Sequence, residues 1–421
     1  MTDFDTLVQE VGSREPLHSR LVAYYEGRQP LTYLSREARE DLDDRLDVLS
    51  VNIPRLLVDS IAERLRITGF TDPRVWGHWQ ANNMISQAAT AHIETLLLGE
   101  CFVAVWARDG RPLVTVESAT QIACDLDPAT GAVRAAVKRW ETPEGSQAVW
   151  YGADEIVRYR ADHTGAMAGF KPVERIDNPM GRVPLVRFRN GDRLTHRGIS
   201  EMLDVIPLTD ALVKLVTDML TASEYAARPR RWATGLEVTE DRDGNPISPI
   251  PEGERMMVGE SPDIKFGQLP GADLAGYQTA INTTVRLISA VTGLPEHLLG
   301  IGGDNPTSAD SIRASEAALT AKAEARQRQF GRSWTEVTQL VLAASTGLAP
   351  GSFDVAPVWA DAATRSTAQE ADAVTKLVQA GILPVTYALK RLGYTDAEIT
   401  EISAARRADA LNNAAIQLAA S

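Results

Sequence analysis

Apolar positions along this chain change their period several times, and each change marks an element. From residue 3 to 28 and again from 53 to 98 they recur at helical spacing. Pro16 reads as the opening of one helical segment, Gly27 as its close and Pro73 as the start of another. From Cys101 to Arg189 the pattern shortens to runs rich in Val, Trp and Tyr: FVAVWA, RPLVTVES, VRAAVKRW, AVWYG, EIVRYR and VPLVRF, each a predicted strand. Asp127-Pro128-Ala129-Thr130-Gly131 has the chemistry of a hairpin turn between two of them. Residues 208–227 return to helix, with Leu208, Leu212, Leu215, Val216, Met219 and Leu220 on one side and Asp210, Lys214, Thr217, Asp218, Thr221 and Glu224 on the other. A second helix is predicted over 273–292, its seam Leu274, Tyr277, Ile281, Val285, Ile288 and Val291, ended by Gly293 with Pro295 beyond. Helices segregated from strands along the chain indicate an α+β fold.

Between those two helices, residues 229–272 carry Pro229, Pro246, Pro249, Pro251, Pro262 and Pro270, too many for a continuous helix. After the second helix comes GIGGDNPTSADSIRASEAAL. Gly300, Gly302 and Gly303 are free to take positive φ, and Asp304, Asn305 and Pro306 add turn chemistry. Thr307 stands three residues before Asp310 in capping-box spacing, so a long helix is expected to start there. Its apolar stripe is Ile312, Leu319, Ala323, Phe330, Trp334, Val337 and Val341, with Lys322, Arg326, Arg328 and Arg332 mostly off it. Strand-like FDVAPVWA follows, then helix-like segments near 366–380, 384–392 and 395–416. The chain has no internal repeat or low-complexity tract.

At 421 residues more than one packed region is expected, and 44% hydrophobic with 24% charged residues reads as a globular chain. The net charge of −13 argues against a protein whose main task is gripping phosphates, because such binding is driven by Lys and Arg displacing counterions. It leaves DNA open as cargo, since an acidic wall lets a polyanion slide; acidity that only serves solubility explains the charge equally well. Cys101 and Cys124 are too few for a disulfide framework and fit a reduced setting. No secretory signal is read at the start, and no membrane span: the most apolar stretch, Ile93–Trp106, is short and interrupted by Glu94 and Glu100.

The chemistry expected of an enzyme is missing. There is no G-x-x-x-x-G-K-[ST] loop to cradle a triphosphate. Gly300-Ile301-Gly302-Gly303 fails as a dinucleotide loop, because Asn305 stands at the sixth position and no strand leads into it, so no cofactor is expected. His18, His78, His92, His163, His196 and His297 show no metal-ligand spacing, and no metal is expected. Asp125 and Asp127 read as hairpin acids rather than ligands of a divalent ion; Cys101, in an apolar run, reads as core, and no G-x-S-x-G elbow supplies a nucleophile. Arg228, Arg230 and Arg231 beside Trp232 form a tight basic and aromatic group. Arginine forks pair with phosphates or carboxylates, so the group suits DNA, an adaptor protein or salt bridges to a neighbouring subunit. Residues 237–263 follow with Glu237, Glu240, Asp241, Asp243, Glu252, Glu254, Glu260 and Asp263, an acidic stretch that is either a solvated loop or a docking surface.

The run Gly300–Leu319 with AKAEARQRQFGRSW after it resembles the portal proteins of long-tailed bacteriophages, especially those of actinobacterial phages. YYEGRQPLTYLS and VNIPRLLVDSIAERLRITGF resemble the opening of that family, while LTDALVKLVTDMLTASEYAARPRRWATG and VTGLPEHLLG keep its order. The resemblance is collinear over most of residues 20–345 and fades beyond Ala344. It implies a ring, usually of twelve subunits, through which double-stranded DNA enters and leaves a capsid. It also implies a partition: an amino-terminal wing over 1–200, a first stem helix over 201–228, a clip over 229–272 and a second stem helix over 273–293. A tunnel loop over 294–307, a long wing helix and strand over 308–365, and a carboxy-terminal wing or crown over 366–421 complete it. Gly300, Gly302, Gly303, Asp304, Asn305 and Thr307 then belong to the loop that faces DNA, and Arg230, Arg231, Trp232, Glu240, Asp241 and Asp243 to the clip docking surface. Partners implied are the terminase large subunit, a head–tail adaptor, and the major capsid and scaffolding proteins, with assembly in the host cytoplasm into a virion and no membrane. The alternatives are a packaging enzyme of terminase type, which should carry an ATPase loop or nuclease acids, and a capsid adaptor without a channel.

Overall fold

The computed structural model describes residues 3–30, 51–108, 110–191, 193–194, 197–227, 231–235, 239–240, 246–247, 263–268, 274–300, 308–363, 367–394 and 396–419. These divide into two compact units, Met1–Ala362 and Ala363–Ser421.

The first unit opens with helix α1 (Phe4–Glu26), capped by Asp3, whose carboxylate accepts from the Thr6 amide, and closed by Gly27 at φ 71. Pro16 lies inside this helix and does not open it, contrary to the sequence expectation. The proline is exposed, so the carbonyl it leaves unbonded can face water, and packing of Leu7, Val8 and Val11 before it and Leu21 and Tyr24 after it holds both halves in line. Residues 53–98 form three helices, α2 (Ile53–Ala62), α3 (Arg74–Ala81) and α4 (Met84–Leu98), and Pro73 starts the second of them as expected. Strand β1 (Ile67–Phe70) interrupts them, since β-branched Ile67 and Thr68 followed by Gly69 favour extended backbone.

The predicted strands are present. β2 (Glu100–Arg108) lies between β3 (Arg111–Ser118) and β9 (Leu185–Arg189) in one antiparallel sheet. A second sheet is a meander of β4 (Ile122–Leu126), β5 (Val133–Thr142), β6 (Gly145–Tyr151), β7 (Glu155–Arg160) and β8 (Lys171–Asp177). Asp127 makes the β4–β5 turn: its carboxylate accepts from the amides of Ala129 at 3.0 Å and Thr130 at 2.8 Å, and those amides lower its pKa, that of Thr130 most. Asp125 pairs with Arg134 at 3.0 Å, so both acids serve the hairpin. Cys101 and Cys124 are buried free thiols whose pKa burial raises, to about 12 for Cys124.

Helices α5 (Ile206–Ala227) and α6 (Ala275–Thr292) pack on each other, and the 38-residue α7 (Ala309–Thr346) runs through the core. At 1.5 Å per residue α7 is about 57 Å long. Its fully buried Leu319, Ala323, Phe330 and Trp334 meet β2, β3 and β9, where Phe188 sits edge-on to Trp334 with centroids 4.6 Å apart. Buried His92 accepts at Nε2 from the Trp334 indole N–H at 2.9 Å, and burial pushes its pKa down to about 3, so it is a neutral core histidine. β14 (Pro357–Trp359) returns to pair with β1. Arg14 and Arg187 clamp buried Glu100, each at 2.7 Å, which ties α1 to the β2–β9 sheet.

The second unit holds α8 (Thr367–Gln379), α9 (Val385–Arg391) and α10 (Asp396–Ala419), near the helical segments expected there. Consecutive helices pack together, with Val374 and Ala388 buried.

Candidate functional site

The paired helices α5 and α6 and the chain between them form the region to which the sequence assigns function. From α5 the chain enters strand β10 (Arg231–Thr234), and it returns through β13 (Lys265–Gln268) to α6. The two strands pair antiparallel, Trp232 opposite Gly267, so the intervening segment is closed at its root. A Cβ on Gly267 would fall 2.4 Å from the Trp232 ring. The indole therefore lies across the glycine, and the side chain is still 43% exposed. Arg231 occupies the first position of β10. Glu240 lies in β11 (Thr239–Glu240), paired with β12 (Pro246–Ile247). Arg230, Asp241 and Asp243 lie outside the described residues, so of the predicted docking group the structure brings Arg231 and Trp232 together on one strand and puts Glu240 on another.

Two of the expected polar positions of α5 are not solvated. Asp210 is buried and accepts from the Tyr24 hydroxyl at 2.8 and 2.9 Å, and the buried Thr217 hydroxyl donates to the Val213 carbonyl on its own helix. The apolar side is likewise not wholly covered, for Leu220 is 40% exposed. On α6 the buried face is Ile281, Val285, Ile288 and Thr292, whereas Val291, expected on the seam, is 51% exposed together with Leu287.

Gly293 ends α6 at φ 74, and Gly300, at φ 76, closes the short helical turn Glu296–Leu299. Both positions need the left-handed backbone that glycine adopts without strain. Gly302, Gly303, Asp304, Asn305 and Thr307 lie outside the described residues. The N-cap of α7 is Ser308 rather than Thr307: its hydroxyl accepts from the Ser311 amide at 3.2 Å. Ser and Thr cap alike, so a run of both does not fix the boundary. Ile312, expected on the packed stripe of α7, is 37% exposed.

Ion pairs fasten both approaches to Gly300–Ser308. Glu201, 8% exposed at its side chain, pairs with Lys322 at 2.8 Å and Arg326 at 3.1 Å and accepts from the Asn190 amide at 3.2 Å. Burial works to raise the Glu201 pKa, but Lys322 and Arg326 outweigh it and hold the carboxyl below the usual range. Lys322 also donates to the carbonyl of Thr292, the last residue of α6, at 3.0 Å. One turn and a half earlier on α7, Glu316 lies 3.3 Å from Arg64 and 3.5 Å from His297 Nε2. Sequence reasoning put Arg326 off the packed stripe; it is buried because it has an acid to meet 125 residues away, a pairing no local pattern announces.

Among the described residues no three His, Cys, Asp or Glu side chains converge as metal ligands, and no helix is long and apolar enough to cross a membrane. What α5, α6 and α7 offer is surface: half-exposed Leu220, Leu287, Val291 and Ile312.

Relatives in sequence put the chain in the class of bacteriophage portal proteins. It is 30% identical over 389 residues to the portal protein of Mycobacterium phage D29, covering 84% of this chain and 78% of that protein. With the portal protein of Mycobacterium phage L5 it shares 29% identity over 381 residues, 84% of this chain and 77% of the other. The chain belongs to the phage portal protein family, SPP1 Gp6-like, whose model matches residues 19–410. This is a structural family of the virion. Among solved structures, a chain from the neck of a native gene transfer agent particle computed with C12 symmetry superposes with a TM-score of 0.47 at 15% identity, over 90% of this chain and 99% of that one. The family assignment rests on the sequence relatives.

Proposed function

We propose that the protein assembles into a ring of twelve identical subunits at one capsid vertex and that double-stranded DNA passes through the ring. In this reading α5 and α6 are the stem, residues 229–272 the clip, and Gly300–Thr307 the loop that reaches the DNA. The clip docks the terminase large subunit during packaging and a head–tail adaptor afterwards, and the wing meets the major capsid and scaffolding proteins. The work is geometric, with no bond made or broken by this chain.

The observation that carries the reading is the unpartnered apolar surface on the stem and on the first turns of α7. Leu220, Leu287, Val291 and Ile312 stand between 37% and 51% exposed on three helices, in a chain with the net charge of −13 that ordinarily favours a separate, solvated subunit. Membership of the portal family supports a second copy of the chain as the cover. A ring joins two different faces of the subunit, so these side chains need not meet their own counterparts. Negative-stain images and native mass measurement test the proposal together: open rings of uniform mass are expected. Monomers or dimers alone, across a range of protein and salt concentrations, would refute it.

A further inference from the structure

The outward side of α6 consists of two ridges with different chemistry. Thr279, Thr283, Leu287 and Val291 are exposed at four-residue spacing and form the first. The hydroxyls of its two threonines turn back on the helix, donating to the carbonyls of Ala275 at 3.1 Å and Thr279 at 2.9 Å, so the ridge presents methyl groups beside a leucine and a valine. The second ridge, about 100° around the helix, is Gln278, Asn282, Arg286 and Ala290, also exposed. Gln278 donates to Asn282 at 3.1 Å, and Arg286 has no acid within ion-pairing distance among the described residues. The whole of Ala275–Thr292 contains no Asp or Glu, in a chain with 56 of them against 43 Lys and Arg.

A helix on the inside of a ring has its own subunit on one side, the next copy on another and the lumen on the third. The methyl-bearing ridge gains free energy only by leaving water, at about 25 cal/mol per Å² of apolar surface. The amide and guanidinium ridge would lose it in a dry contact that left donors unpaired. We infer that Thr279, Thr283, Leu287 and Val291 pack on the neighbouring copy, and that Asn282 and Arg286 face duplex DNA, with Arg286 supplying a ring of guanidinium groups to the phosphates. This rests on the ring proposed above. The charge balance fits passage: α6 carries no carboxylate to pair with Arg286, and one solvated arginine per subunit gives a contact weak enough to break as the duplex moves.

A diazirine photo-crosslinking residue placed singly at 282, 286, 287 and 291 in DNA-filled particles tests the assignment. Adducts to DNA are expected from 282 and 286, and dimers of the portal chain from 287 and 291. DNA adducts from 287 or 291, portal dimers alone from 282 and 286, or no DNA adduct from either, would overturn it. Arg286→Glu gives a second measurement: rings at the parent's yield and at least a tenfold drop in DNA-filled particles are expected. Undiminished filling would overturn the inference, as would loss of rings, which would put Arg286 in the subunit contact. Failure of the parent itself to form rings would refute the ring reading instead, so the two failures are told apart.

Discussion

Glu201→Gln removes one negative charge from a place where two positive ones converge. Lys322, 28% exposed at its side chain, keeps the Thr292 carbonyl and access to water, so its loss is small. Arg326, 8% exposed, has no such access. Removing one partner of a buried pair typically destabilises by 3–5 kcal/mol; with Lys322 partly wet and glutamine still able to accept a hydrogen bond, about 3 kcal/mol is expected at pH 7. The effect depends on pH with a definite sign. The folded Glu201 pKa lies below its unfolded value of about 4.3, so this carboxylate contributes its full stabilisation above pH 4.3 and loses it as pH falls through the folded pKa. Urea unfolding of parent and variant at pH 7 and at acid pH therefore gives curves that converge as Glu201 protonates in the parent. Adding Arg326→Met to Glu201→Gln should recover part of the loss, since it removes the buried charge that Glu201 no longer balances. A deficit under about 1 kcal/mol at pH 7, or one that stays constant into acid, would refute the claim that this carboxylate fastens α7 to the end of α6.

His92 titrates with the same sign in a higher window: its pKa falls from an unfolded value of about 6.5 to about 3, so the parent loses stability as pH drops below 6.5, about 2 kcal/mol by pH 5. His92→Phe should abolish that slope while adding a pH-independent loss of about 1–3 kcal/mol from the orphaned Trp334 N–H, which unfolding curves at pH 7 and 5 will separate. Leu287→Glu puts a charge on the apolar ridge of α6 and should leave folded subunits that fail to form rings, read by native mass beside an unchanged unfolding midpoint. Asp304→Lys and deletion of Gly302–Asn305 should leave ring yield intact and cut the yield of DNA-filled capsids; if both variants package like the parent, the segment is a connector only.

Local signals were legible where a residue acts on its own neighbours. Gly293 with Pro295 marked the end of α6, and Asp127 with Gly131 marked the β4–β5 turn, because capping and turn chemistry act within four residues. Pairing at long range was not. The Thr68 hydroxyl meets the Val358 carbonyl 290 residues on, and the β-branched pair Ile67-Thr68 is too short a local signal to reveal a strand whose only partner lies that far away. Pro16 misled for the same reason: a proline stops a helix only when nothing else holds the two halves, and the sheet that holds α1 lies over a hundred residues further along. Exposure of Val291 and Ile312 was hidden because periodicity reports which residues share a face and leaves open whether that face is met by the same chain.

The contacts at the root of Gly300–Ser308 bear on how the channel loop proposed there would be anchored. Lys322 on α7 reaches the last carbonyl of α6, and Glu316 on α7 reaches His297 in the turn that follows α6, so both approaches are fastened to one helix. The first turns of α7, before Glu316, are largely exposed, whereas beyond it the helix is anchored by fully buried Leu319, Ala323, Phe330 and Trp334. A force on the segment therefore meets a fixed point at Glu316 and Lys322. Past that point α7 is embedded in the β2–β9 sheet, and a helix packed to crystal-like density shifts only as a unit. Past Lys322, α7 continues to contacts with β14 and the Phe353 cluster near its far end. Loosening the root with Glu316→Gln should accordingly raise hydrogen exchange of the first α7 turns in assembled rings while exchange along Leu319–Val341 stays at the parent's rate. Faster exchange throughout α7 would show that the helix has no fixed point there.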